Sequence, residues 1–253
     1  MISEAIKSFV SGKNIVLLWS GGFESTYLLK QMIKHEIFKY CNLEVLSILF
    51  PADIYDEAKT GAAQRYLNSL GIRTKFIKPD KNIDKDSVPY FKACPICKDV
   101  RREAINSYIA SRQGEELVFM TGHNLDDVSS YLLENIVNYT GNRLEQRRAR
   151  LLETSNKFFE SFRYSDTLLI YRPLLKYNKS ELEKHSFGEL DDTFSVTKAK
   201  CYWINQRKRV LQNYIDQSGA QPDFDRVLEV YNRLFVMPDE SDFRTLGFDT
   251  YLL

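Results

Sequence analysis

The sequence contains no apolar run that reaches the roughly 18 residues of a membrane span, and Met1 to Val10 lack the long apolar core of a signal peptide. A cytoplasmic protein without membrane attachment is expected. Neither sign of charge is in excess: 35 Lys+Arg stand against 34 Asp+Glu, a net of +1, so nothing global advertises nucleic acid or an acidic membrane. Contact with RNA would have to come from a local patch. Cysteine is scarce, at positions 41, 94, 97 and 201, with a single CxxC pair. In a reducing compartment such thiols are expected as ligands or reactive groups rather than disulfides. Internal repeats and low-complexity linkers are missing, which excludes a solenoid. What remains is a chain of 253 residues, 43% hydrophobic and 13% aromatic, able to bury a full core as one α/β domain with or without an appendage.

The most informative stretch is Ser20-Gly21-Gly22-Phe23-Glu24-Ser25-Thr26, between the apolar run Ile15 to Trp19 and the helical pattern Tyr27 to Ile33. Strand, tight turn and helix are the expected order. Glycines let backbone N–H groups converge without a Cβ in the way, and the new helix adds the positive end of its dipole. Ser20, Ser25 and Thr26 add hydroxyls suited to phosphate oxygens. No Lys follows the glycines, so the Walker spacing is absent.

Along the chain, Ser3 to Val10 is expected as a short helix and Leu43 to Phe50 as a second strand ending at Pro51. Its carboxyl end should lie beside the first loop, which makes the backbone around Leu49 and Phe50 a candidate for contacting adenine. Cys41 reads as an isolated structural thiol. Glu57 to Leu70 is helical and closed by Gly71, and Arg73 to Ile77 is a third strand. After a polar connection, Cys94-Pro95-Ile96-Cys97 stands at the start of a helix expected over Asp99 to Ser111, which carries Arg101 and Arg102. Two thiols at that spacing chelate one metal or cluster, and a helix start with arginines lowers thiol pKa values.

Glu116 to Met120 is expected as a strand running into Thr121-Gly122-His123-Asn124-Leu125-Asp126-Asp127, then a helix from Val128 to Tyr139. Carboxylates at that helix start either hold Mg²⁺ against ATP phosphates or, with Asn124, merely cap the helix. Both readings stand.

SGGxxS near the N-terminus resembles the SGGxDS signature of the PP-loop ATP pyrophosphatase superfamily, with Glu24 in place of the family Asp. The resemblance implies an α/β, parallel-sheet, HUP-like (adenine nucleotide alpha hydrolase-like) domain that binds ATP and Mg²⁺ and releases pyrophosphate. CxxC followed by Arg-Arg, then TGHNLDD with Glu134 and Asn135 beyond it, then Tyr171-Arg172-Pro173-Leu174, Asn178 to Leu182 and Cys201, narrows it. Together these resemble the tRNA sulfurtransferases that make thiocytidine and thiouridine, over about residues 14 to 210. That resemblance implies a four-iron four-sulfur cluster on Cys94, Cys97 and Cys201, with one iron open. Zinc is the competing occupant. It also implies a pyrophosphate cradle of Ser20, Gly21, Gly22, Ser25 and Thr26, with Glu24, Phe50, Gly122, His123, Asn124 and Asp126 around the nucleotide. Cys94, Cys201 and Asp127 would carry the chemistry.

The expected organisation is a PP-loop domain over 1–185 and a helical C-terminal extension over 186–253 that carries the third cysteine. The substrate is a tRNA base or a small molecule, sulfur comes from a separate donor, and a zinc-bearing amide- or nitrile-forming ligase is the rival enzyme. The zinc-finger pairs that flank the domain in several tRNA-thiolating relatives are missing here. Arg143, Arg147, Arg148 and Arg150 either grip phosphates or form a solvated helix face interleaved with Glu145. Aromatic residues of the tail, Phe243, Phe248 and Tyr251, are expected to pack on the body or on a second subunit of a homodimer.

Overall fold

The computed structural model describes residues 2–81, 83, 88, 90–138, 156–184, 193–198, 217 and 223–234. Cys201, the arginines at 143, 147, 148 and 150, and the aromatic tail lie outside the described residues. Helix α1 (Ile2–Val10) leads into β1 (Asn14–Leu18), α2 (Phe23–Lys34), β2 (Asn42–Ile48), α3 (Glu57–Ser69) and β3 (Arg73–Ile77). Then follow α4 (Tyr90–Ala110), β4 (Leu117–Met120), α5 (Leu125–Asn138), β5 (Ser161–Ser165), β6 (Leu168–Tyr171), α6 (Lys179–Lys184) and α7 (Phe224–Leu234).

The strands form one six-stranded sheet in the order β3-β2-β1-β4-β6-β5, parallel except for the β5–β6 pair. Alternation along β1 explains the two layers. Ile15 and Leu17 face a core closed by α1, α2 and α3, whereas Val16 faces a second core closed by α4. A strand covered on both faces must read as an apolar run, and Ile15 to Leu18 of β1 does. Strand order reverses between β1 and β4, so the loops after these two strands diverge around a crevice at their carboxyl ends. At the other end of the sheet, charges are matched: Arg112 donates to Glu44 at 2.7 Å and to Tyr108 Oη at 2.8 Å.

Three local expectations change. Helix α4 begins at Tyr90 rather than at Asp99, so Cys94 and Cys97 lie within the helix and not at its positive end. Burial decides this, because Ala93, Cys97 and Val100 recur at helical spacing along the α4-covered core, while Pro95 is exposed. Proline inside a helix removes one intrahelical bond at a cost of about 3 kcal/mol, which the buried stripe offsets. Helix α5 begins at Leu125, three residues before the expected Val128. The β5–β6 hairpin was not anticipated; it is held by Arg172, whose buried guanidinium donates to Asn156 O at 2.8 Å and Phe159 O at 3.1 Å. Burial pulls the Arg172 pKa down to about 10.

Two described segments beyond 185, residues 193–198 and 224–234, pack on the sheet and its helices. Phe194 is 1% exposed and meets Trp19 and Tyr66 edge-on, each with ring centres 5.9 Å apart. Burying such a ring contributes roughly 1.5–3 kcal/mol. Helix α7 instead packs on α5, burying Val227 and Tyr231 against Leu125, Val128 and Leu132. Among the described residues no helix is long and apolar enough to cross a membrane.

Candidate active site

The loop after β1 is built by its own hydroxyls. Ser20 Oγ and Ser25 Oγ lie 3.0 Å apart, Gly22 N donates to Ser20 Oγ at 3.2 Å, and Ser25 Oγ donates to Gly22 O at 3.2 Å. Thr26 Oγ1, facing the core, accepts the indole N–H of Trp19 at 3.0 Å and so fastens the first turn of α2 to β1. The N-cap of α2 is Gly22, and no side chain caps the helix. Amide donors at a helix start without a capping acceptor are suited to an anion. Glu24 lies in that first turn. Gly21 sits at φ +73°, a conformation that glycine adopts without penalty, and a Cβ on it would stand 2.8 Å from Val196 Cγ2.

Val196 belongs to a strap, residues 193–198, laid over this loop. Tyr55 and Thr197 form an antiparallel bridge, Asp56 N donates to Val196 O at 2.8 Å, and Lys198 N donates to Ile54 O at 2.9 Å. Tyr55 ties further segments together. Its hydroxyl donates to Ser20 O at 3.2 Å and accepts from Arg101 Nη2 at 3.2 Å. Arg101 lies one helical turn beyond Cys97 on α4, and its Nε is buried with no hydrogen-bond partner among the described residues. Sequence reasoning did not find Tyr55. Its neighbours are remote in the chain, and nothing in the local pattern around it marks them.

The opposite wall comes from the loop after β4. A Cβ on Gly122 would stand 2.7 Å from Ser25 N, so the two loops touch backbone to backbone. Thr121 Oγ1 and His123 Nδ1 are hydrogen-bonded at 2.8 Å. Asn124 and Asp127 form a capping box: Asp127 N donates to Asn124 Oδ1 at 3.1 Å, and Asn124 N donates to Asp127 Oδ2 at 3.2 Å. Asp126 Oδ2 accepts Lys179 N at 2.9 Å, which caps α6 as well. Both carboxylates therefore hold backbone, each through one named oxygen. At the end of β2, Leu49 N donates to Ile77 O and Phe50 N to Ile48 O, so an adenine contact there falls to carbonyl oxygens. The Phe50 ring itself is buried in the core under α4.

Of the expected cysteine ligands, Cys97 is half-buried, and Cys94 lies one turn before it in the same helix. Among the described residues no group of three His, Cys, Asp or Glu side chains forms a metal site. Cys41 is separate. Its thiol donates to Ile37 O at 3.7 Å, and burial pushes its pKa up to about 11.

No family model and no curated protein matches this chain. Among solved structures, the chain is similar to the U34-tRNA thiolase NcsA from Methanococcus maripaludis, a structure with its 4Fe-4S cluster. The TM-score is 0.67 at 17% identity, covering 94% of this chain and 78% of that one. At that identity the likeness shows the fold alone, an α/β domain around a mostly parallel HUP-like sheet.

Proposed function

We propose that this protein is an ATP-using PP-loop sulfurtransferase that adenylates a carbonyl of a tRNA base and exchanges its oxygen for sulfur. One observation carries the reading: the anion-type loop, the CxxC helix and the strap that leads to Cys201 all meet at Tyr55. Lys198 is fastened to Ile54, beside that loop, and Cys201 follows it by three positions in the sequence.

The base oxygen attacks the α-phosphorus of ATP, and the bond to the bridging oxygen of pyrophosphate breaks. Amides of Gly21 and the α2 start, with the Ser20 and Ser25 hydroxyls, take the charge that grows on the departing phosphates, and the Gly22 amide orients Ser20 Oγ. Arg101 brings a cation to the same place, and Thr26 braces the helix that supplies the amides. Gly122 lets the second loop close on the first, which positions His123 and Asn124 along the nucleotide. Phe50 O is the adenine acceptor. Glu24, Asp126 and Asp127 are the carboxylates that would hold Mg²⁺. A sulfur nucleophile at the cysteines then attacks the activated carbon, and AMP leaves with the original oxygen.

The donor set suits a cluster in kind: Cys94 and Cys97 are three positions apart along α4, and a third cysteine follows the strap in the sequence. When bound by Cys94, Cys97 and Cys201, a four-iron four-sulfur cluster would supply an open iron for sulfide. Anaerobic purification with iron, acid-labile sulfide and zinc analysis is the test, followed by ATP-dependent sulfur transfer to tRNA. Iron and sulfide in equal amounts, with thionucleoside and pyrophosphate formed together, are expected. Zinc without visible absorbance would move the reading to the ligase class. Unchanged thionucleosides in tRNA from a deletion strain would move the substrate to a small molecule.

A further inference from the structure

We propose that Tyr55 is a positioning residue for the anion: by holding the Ser20 carbonyl, its hydroxyl aims the Gly21 amide N–H at the phosphates. The inference rests on the polyphosphate reading of the loop given above. A trans peptide places a carbonyl and the following N–H on opposite sides of one plane. Whatever fixes Ser20 O therefore fixes the direction of the Gly21 N–H, which has no acceptor among the described residues.

Glycine at φ +73° has no side chain to resist rotation of this peptide, so the loop needs an outside anchor. Tyr55 supplies it from a different segment. Its ring is 2% exposed and lies under Gly21, with Cε1 3.7 Å from where a Cβ would stand. Arg101 occupies the acceptor side of the hydroxyl, so the phenolic proton is left for carbonyls. Ser20 O lies at 3.2 Å, nearer than Ile48 O at 3.5 Å. A cation that donates to the phenol oxygen also polarises its O–H and strengthens the bond to Ser20.

Tyr55→Phe keeps the ring and removes the hydroxyl, and with it the bond to Ser20 O and the acceptor of Arg101. In the full-length protein, affinities for inorganic pyrophosphate and for adenosine are measured by competition against a fluorescent ATP analogue. Loss of one hydrogen bond of ordinary strength predicts that Y55F binds pyrophosphate about 3- to 10-fold more weakly, with adenosine unchanged. A purely structural Tyr55 would weaken both ligands by the same factor, and that result overturns the proposal whether or not the melting temperature falls. Unchanged pyrophosphate affinity in Y55F overturns it too. A wild-type protein that binds neither ATP nor pyrophosphate would overturn the preceding functional reading as well, so the two failures are told apart.

Discussion

Gly122 and Ser25 meet backbone to backbone, so closely that a β-carbon on Gly122 would stand 2.7 Å from the Ser25 amide nitrogen. Backbone on both sides cannot step aside cheaply. Gly122→Ala is expected to push the two loops apart, at a cost of about 1–3 kcal/mol in stability with weaker ATP binding. Urea unfolding and ATP titration of G122A measure the two effects, and a variant with wild-type values for both would separate the loops in function.

The strap sets a second, reciprocal constraint. Gly21→Ala meets both the φ of +73° and Val196 Cγ2 at 2.8 Å. The left-handed conformation costs about 1–2 kcal/mol for a residue with a Cβ, and the clash adds to it. Val196→Ala relieves only the clash. A double-mutant cycle from denaturant unfolding should therefore give a favourable coupling between the two changes, of about 0.5–3 kcal/mol; strict additivity would mean that the strap does not rest on the loop in solution.

Asp126 divides its carboxylate between the Lys179 amide and, on the proposed chemistry, a divalent cation. Asp126→Asn keeps an acceptor for the amide but removes the charge. Stability is expected to stay within about 0.5 kcal/mol of wild type, while the Mg²⁺ concentration for half-maximal activity rises roughly tenfold. A stability loss with an unchanged Mg²⁺ requirement would leave Asp126 as a cap and nothing more.

The thiol of Cys41 should be the slow one. Its pKa, raised to about 11 by burial, keeps it protonated through the neutral range, and only the thiolate alkylates. Iodoacetamide labelling followed by peptide mass spectrometry should show Cys41 modification rising with pH toward 11. The sign for stability follows: a thiol held neutral in the fold favours it below the unfolded-state pKa near 9, and that contribution fades as pH climbs from about 9 to 11. Rapid labelling of Cys41 at pH 7 would contradict its packed position.

The loops after β1 and β4 were legible because each follows an unbroken apolar strand and carries glycine where backbone must approach backbone. Gly71, at φ +78°, closed α3 as expected for the same kind of reason. The β5–β6 hairpin was not legible. Only Phe162 and Tyr164 of β5 point inward, with Arg163 between them, and so short an alternation on an edge strand resembles a loop. Pro95 hid the start of α4, because local propensity there opposes a helix that burial imposes. Tyr55 was missed for a deeper reason: its partners Ser20 and Arg101 lie 35 and 46 positions away, a relation that belongs to the fold.

Phe194 completes the aromatic packing around Trp19, yet it is made long after Trp19 leaves the ribosome. Strand β1 and its loop, among the first residues synthesised, must wait for a segment near the other end of the chain before their packing is finished. Such distant closure slows folding and leaves Trp19 uncovered in partly made chains. A messenger truncated before Phe194 would therefore yield a product with an open loop after β1, prone to aggregate and to be cleared, rather than a smaller working protein.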